Sequence, residues 1–185
     1  KNFYLIYSPE RDDPGNKIKN FYVPRLVSGK TKKCLIIANA LYNKIFQTLV
    51  TTRDMRTAET AKLFENVFRS INIGLVNEMK KICHKMNIDI HEIINAASTK
   101  PFGFSKFLPG PGLGGHCIPI DPFYLSWKAK KFNIDTKFIN LAGKINRSMP
   151  VWVVKRISDF YKKKKKNLFK KKILILGVAY KKNIN

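Results

Sequence analysis

With 185 residues, 44% of them hydrophobic, the chain is long enough to bury a core and too apolar to be disordered. Thirty-six Lys and Arg against twelve acids give a net charge of +24, which invites a nucleic-acid reading; the bases are overwhelmingly Lys, spread along the whole chain as genomic drift would leave them, and Arg is sparse. No nucleic-acid motif accompanies them and no apolar run is long enough to span a bilayer, so a phosphate-bearing small molecule is the favoured ligand class.

In chain order, residues 3–7 read as a short buried strand ended by Ser8-Pro9-Glu10, and a polar loop with Pro14-Gly15 follows. Residues 25–29 read as a second strand. An apolar stripe at helical spacing over 31–46 predicts a helix capped by Thr31, and Thr48 to Thr52 is β-rich. Strand, helix and strand at these lengths predict the end of a parallel α/β sheet. No Gly-x-Gly-x-x-Gly occurs, and the expectation is a chain that starts inside a domain.

From Arg56 the texture changes. Ala61, Phe64, Phe68, Ile71, Leu75, Met79, Ile82 and Met86 recur at steps of three and four and predict one long amphipathic helix. Its apolar face suits either core packing or a contact between two helices. A second helix is expected from Ile90 to Ala97, capped by Asp89.

Residues 109–122, Pro-Gly-Pro-Gly-Leu-Gly-Gly-His-Cys-Ile-Pro-Ile-Asp-Pro, cannot be helix or central strand. Four glycines and two prolines lead to Cys117, and Asp121 follows four positions on. A buried structural Cys and a nucleophilic one both fit this loop. A metal site fits poorly, because Cys34 and Cys83 are distant and no Cys-x-x-Cys is present. Three scattered cysteines make no disulfide framework and nothing reads as a signal peptide, so a cytoplasmic setting is the default. Asp121-Pro122 suits the start of a helix running to Lys131, with Asp121 as a possible cap. A further helix spans 138–160, with a break or restart near Ser148 because of Pro150. Lys162 to Lys166 reads as a solvated helix end, and Lys172 to Tyr180 as an apolar strand entering a turn.

These pieces resemble a family in one order: Ser8-Pro9-Glu10-Arg11 with Pro14-Gly15, Thr60-Ala-Lys62-Leu-Phe-Glu-Asn66, the Pro109–Pro122 loop, and Leu176-Gly-Val-Ala-Tyr-Lys181. Together they look like the nucleotide-sugar 6-dehydrogenases, the UDP-glucose and GDP-mannose dehydrogenase family. Lys100-Pro-Phe-Gly-Phe104 and Ser126-Trp127-Lys128 look most like the branch acting on UDP-N-acetylhexosamines. The fold class implied is α/β: residues 1–54 as the end of a Rossmann-like NAD domain, 55–165 as a central helical domain, and 166–185 as the start of a second Rossmann-like, UDP-binding domain.

The resemblance implies oxidation of a sugar C6 alcohol to a carboxylate in two NAD-dependent hydride transfers. Cys117 matches the thiol that forms a thiohemiacetal and then a thioester. Lys62 and Asn66, four apart on one helix face, match the oxyanion stabilisers, where losing one donor typically costs about 10²–10³ in rate. Glu10 matches a glutamate near the nicotinamide and the hydrolytic water, and Asp121 a carboxylate that positions that water. Leu108, Pro109, Gly110 and Gly112 belong to the segment whose backbone lies along the substrate, and Lys181 matches a lysine contacting the UDP-sugar. A homodimer through helix 56–86 is expected, with no metal, membrane or specific nucleic acid.

Some positions depart from UDP-glucose relatives: Pro14 stands for a second glutamate and Ile120 for a lysine, which favours the hexosamine branch. Lys30 stands where a second glycine is common. The glycine-rich fingerprint is absent, so the 185 residues alone are expected to show no turnover. UDP-glucose as substrate, a basic nucleic-acid-binding helical module and an inactive dimerising fragment are the alternatives.

Overall fold

The computed structural model describes residues 3–13, 15, 18–177 and 179. It divides into two compact units, with the boundary inside one helix between Glu65 and Asn66.

The first unit is a three-stranded sheet with one helix. Strands β1 (Ile6–Tyr7), β2 (Arg25–Gly29) and β3 (Leu49–Thr51) stand in the order β1-β2-β3. β2 and β3 pair in parallel, Arg25 opposite Leu49 and Val27 opposite Thr51. Helix α1 (Lys32–Tyr42) makes the crossover between them. The sheet is mixed, however, because β1 pairs antiparallel with β2, Ile6 opposite Gly29. The described residues between β1 and β2 hold only a 3-10 turn at Asn20–Tyr22, with no helix to carry a parallel crossover.

Both helix starts in this unit are closed by side chains. Thr31 Oγ1 accepts from the Cys34 amide at 3.2 Å, and Asp54 Oδ1 accepts from the Thr57 amide at 2.9 Å. Gly29 is required at the β2–α1 junction, since a Cβ there would lie 2.4 Å from Leu35 N. Val27, Ser28, Cys34 and Ala38 form the buried contact of sheet and helix. α1 stops at Tyr42, short of the expected Phe46; residues 43–45 form turns, and Phe46 folds back to stack on Tyr42 at 5.9 Å.

Helix α2 (Met55–Met86) is 32 residues, about 48 Å long. It ends where Asn87 turns left-handed at φ +56° and the Ile88 amide reaches back to Cys83 O at 3.0 Å.

The second unit is helical: the rest of α2 with α3 (Ile90–Ala97), α4 (Asp121–Lys130) and α5 (Lys137–Lys163). Asp89 caps α3 through the His91 amide at 2.9 Å. Val76, Cys83, Ile90 and Ile94 form a buried cluster, with Met79, Ile93 and Phe107 against it. α2 and α5 cross closely at Gly74, where a Cβ would meet Ala142 Cβ at 3.4 Å.

The buried side of α2 mixes polar and small residues with Val67, Val76 and Cys83, and much of the large apolar stripe lies outside it. Asn66, Ser70, Gly74 and Asn77 are buried, while Phe64, Phe68, Leu75, Ile82 and Met86 are exposed. A buried polar relay joins the helices: Asn77 Nδ2 donates to Asn146 Oδ1 at 2.9 Å, and Asn146 Nδ2 to Ser70 O at 3.0 Å.

Two expectations change here. α5 runs unbroken through Pro150, although Pro150 has no N–H to give the Asn146 carbonyl. Residues 172–177, expected as strand, lie in no ladder, and Leu174, Ile175 and Leu176 are exposed. A strand exists only through its neighbour's hydrogen bonds, and no described residue pairs with this segment.

Candidate active site

The glycine-rich loop is fastened at both ends. At its start, the Gly110 amide donates to Asn77 Oδ1 at 2.9 Å, tying the loop to the buried amide relay. Gly112, at φ +143°, packs on α5; a Cβ there would sit 3.5 Å from Asn146 O and 3.7 Å from the Pro150 ring. This is the place on α5 where proline leaves a carbonyl without its helical donor. At the far end, Cys117 O accepts from the Ile120 and Asp121 amides at 3.1 and 2.8 Å, so the turn carrying the thiol runs straight into α4.

Cys117 is exposed, whereas Cys34 and Cys83 are buried; all three are free thiols. Asp121 does not cap α4. Its Oδ2 instead accepts from Asn66 Nδ2 at 2.6 Å, across 55 residues of sequence. Asn66 is wholly buried, and its Oδ1 takes a hydrogen bond from Arg69 Nη2. The structure therefore brings Asn66, Arg69 and Asp121 into one network beneath the Cys117 turn.

A cavity of about 580 Å³ opens beside the loop, walled by Pro111 to Gly114, Pro119, Phe123, Asn146 and Arg147 among others. Arg147 lies over the Phe123 ring at 4.8 Å, and Phe123 fills the notch left by Gly143. Such a cavity is of ligand size. Cys117 does not line it.

Glu10 and Lys62 belong to the first unit. Arg25 grips Glu10 with Nη1 on Oε1 at 2.9 Å and Nη2 on Oε2 at 3.2 Å, and the Arg11 and Asp12 amides each reach Oε1 at 2.8 Å. The Arg25 guanidinium, aided by those amides, holds the Glu10 carboxyl below its ordinary pKa. Lys62 sits one turn before Asn66 on α2, its Nζ 4.0 Å from Glu65 Oε2, while Glu65 Oε1 also pairs with Arg11 at 2.8 Å. Leu108 is exposed, and Lys181 lies outside the described residues. Among the described residues no cluster of three His, Cys, Asp or Glu is arranged to hold a metal.

Sequence reasoning missed Arg69, Asn77 and Asn146. A signal existed on α2: Asn66, Ser70, Gly74 and Asn77 are small or polar residues at steps of four, four and three, the mark of a close helix contact sealed by amides. Nothing local marks Arg69 or Asn146.

The sequence profile of the UDP-glucose/GDP-mannose dehydrogenase family, central domain, matches residues 56–148. The UDP-N-acetyl-D-mannosamine dehydrogenase of Methanococcus maripaludis is 36% identical over 185 residues, 100% of this chain and 42% of that protein. The UDP-D-ManNAc dehydrogenase structure from Pyrococcus horikoshii superposes with TM-score 0.81 at 34% identity, over 89% of this chain and 38% of that one. The UDP-N-acetyl-mannosamine dehydrogenase from Staphylococcus aureus superposes with TM-score 0.76 at 36% identity, over 96% and 40%. The chain thus spans about two-fifths of the length of the relatives it matches.

Proposed function

Because this chain belongs to the UDP-glucose/GDP-mannose dehydrogenase family, we propose that it carries the catalytic centre of an enzyme oxidising the C6 hydroxyl of a UDP-N-acetylhexosamine to the uronate. The mannosamine and glucosamine epimers are the favoured sugars, in keeping with the relatives' names. Residues 1–54, 55–165 and 166–185 are then the end of the NAD domain, the central domain and the start of the UDP domain.

NAD, the cofactor of this family, finds no pyrophosphate cradle among the described residues, and no Gly-x-Gly-x-x-Gly occurs in the sequence. Both helix starts that follow a strand are taken, one by Thr31 and one by the Asp54 carboxylate, an anion where a phosphate would need an amide. The chemistry assigned to this chain is that of the thiol.

Cys117 Sγ adds to the C6 aldehyde carbon, making a carbon–sulfur bond and an oxyanion on the former carbonyl oxygen. Lys62 and the second N–H of the Asn66 amide are the donors to that oxyanion. Once the adduct has been oxidised to a thioester, Asp121 places the attacking water. The carbon–sulfur bond then breaks, releasing the uronate and the Cys117 thiolate. Glu10, held by Arg25, is the glutamate that the family resemblance assigns to the nicotinamide and the hydrolytic water. The Leu108–Gly112 backbone lies along the substrate, with Lys181 on the UDP-sugar.

The observation that carries this reading is the Asn66–Asp121 hydrogen bond at the root of the Cys117 turn. It links two polar side chains 55 positions apart in the sequence. A homodimer through the exposed Phe64, Phe68, Leu75, Ile82 and Met86 face, in the cytoplasm, completes the proposal.

The test is NAD reduction by the longest polypeptide carrying this segment, with UDP-N-acetylmannosamine, UDP-N-acetylglucosamine and UDP-glucose as rival substrates. Expected is turnover with an N-acetylhexosamine, lost by at least about 10³-fold in Cys117→Ala. The 185 residues alone should be silent. No reduction with any UDP-sugar, or an unaffected Cys117→Ala, overturns the reading.

A further inference from the structure

We propose that Arg69 is a positioning residue for the hydrolytic step, acting through Asn66 on Asp121. The inference rests on the reading above, in which Asp121 places the water that cleaves the Cys117 thioester.

The two ends of the Asn66 side chain are nearly equal in size, so packing alone cannot decide which one faces Asp121. Asn66 is wholly buried, so water cannot decide it either. What decides it is chemistry at each end. Arg69, three residues along α2 and on the same face, is a donor only, and it meets Asn66 Oδ1. An ionised carboxylate is an acceptor only, and Asp121 Oδ2 meets Asn66 Nδ2 at 2.6 Å. A cation and an anion therefore hold one amide between them, and each rejects the flipped orientation.

The interposed amide also leaves Asp121 usable. A guanidinium in direct contact would take both carboxylate oxygens in a fork. Here only Oδ2 is engaged by a side chain, and Oδ1 has no hydrogen-bond partner among the described residues. Arg69 makes no ion pair with a carboxylate among the described residues, and its buried Nε also lacks a partner. Its charge is thus not cancelled locally. One amide links it to Asp121, while Oδ1 stays open to water.

A merely structural arginine and this positioning role differ in which step suffers. In Arg69→Met the stem is kept and the donors go, so the Asn66–Asp121 pair is held at one end instead of two. Capture of the aldehyde should proceed and hydrolysis should slow. The expected result is a burst of two NADH per active site, one for each hydride transfer before hydrolysis, followed by a steady rate lowered about tenfold or more, with KM for the UDP-sugar changed less than about threefold. A thioester on Cys117 should accumulate and be seen by mass spectrometry of the quenched enzyme. Arg69→Lys, which keeps a charged donor, should restore most of the rate. If Arg69→Met does not fold, Arg69→Gln takes its place with the same expectation, since a glutamine amide accepts either end of Asn66.

A variant without Arg69 that keeps the wild-type steady-state rate overturns the inference while leaving the dehydrogenase reading intact. A variant that loses rate with no burst, no Cys117 adduct and no rescue by Lys also overturns it, as a structural role only. A wild-type enzyme that forms no NADH with any UDP-sugar overturns the underlying reading instead.

Discussion

Glu10 and Asp121 are both carboxylates matched to catalytic work, and their surroundings give them different abilities. Three donors converge on Glu10 Oε1 and a fourth takes Oε2, so the group is anchored as an anion and poorly placed to trade protons. Asp121 has one side-chain donor and an open oxygen. For Glu10 the depressed pKa carries a definite sign. The folded state holds the proton less tightly than the unfolded chain, so the stabilisation is full above the unfolded pKa and is lost as pH falls through the folded one. The effect is small, because the Glu10 side chain is 67% exposed and solvent screens it. Urea midpoints taken from about pH 6 down to about pH 3 should fall less in Arg25→Met than in the wild type. Equal falls would mean that Arg25 does not hold Glu10 in solution. These roles were only half legible in the residues themselves. Asp121 fits a helix cap from its local pattern, and only a partner 55 residues away turns it toward Asn66.

At the scale of elements, what was legible is what is local. Thr31 and Asp89 cap the helices expected of them, because a cap needs only the three residues that follow it. The long periodicity of α2 predicts its helix with both ends within a residue or so. Which face it buries is decided by α5, and the periodicity could not say. The small polar residues turn inward because Gly74 lets α5 approach closely, Ser70 O and Asn77 meet Asn146 there, and Asn66 meets Asp121 at the start of α4. Pro150 misleads for a similar reason: it ends helices in isolation, but packing keeps α5 continuous and puts Gly112 over the spared carbonyl. The relay of Asn77 and Asn146 should therefore matter to stability as well as to the loop. Asn146→Ala leaves Asn77 Nδ2 buried without its partner and takes from Ser70 O its second donor, for an expected loss of about 1–3 kcal/mol by urea unfolding. A loss below about 0.5 kcal/mol would mean that water replaces the amide.

For the whole molecule, charge and apolar surface tell opposite stories. A net charge of +24 keeps copies of the chain apart, yet α2 exposes a row of large apolar side chains from Phe64 to Met86. Self-association through that row should strengthen as salt screens the lysines. Leu75→Glu should convert a dimer to a monomer in sedimentation at micromolar concentration, with helicity unchanged. A wild-type chain that is already monomeric would remove α2 as the dimer face.

The amide relay from Ser70 through Asn146 and Asn77 to Gly110 also bears on how this protein can change over generations. Each amide is satisfied only by the identity and orientation of the next, so replacing any one strands its neighbours in a dry interior. A lineage drifting toward lysine and isoleucine on its surface has no neutral single step through these positions. They should therefore stay as they are while the surroundings turn over, or change together. Reconstructed ancestors of this chain offer the check: an asparagine at 77 paired with an apolar residue at 146 should be a poorly folded intermediate, rescued when both are apolar.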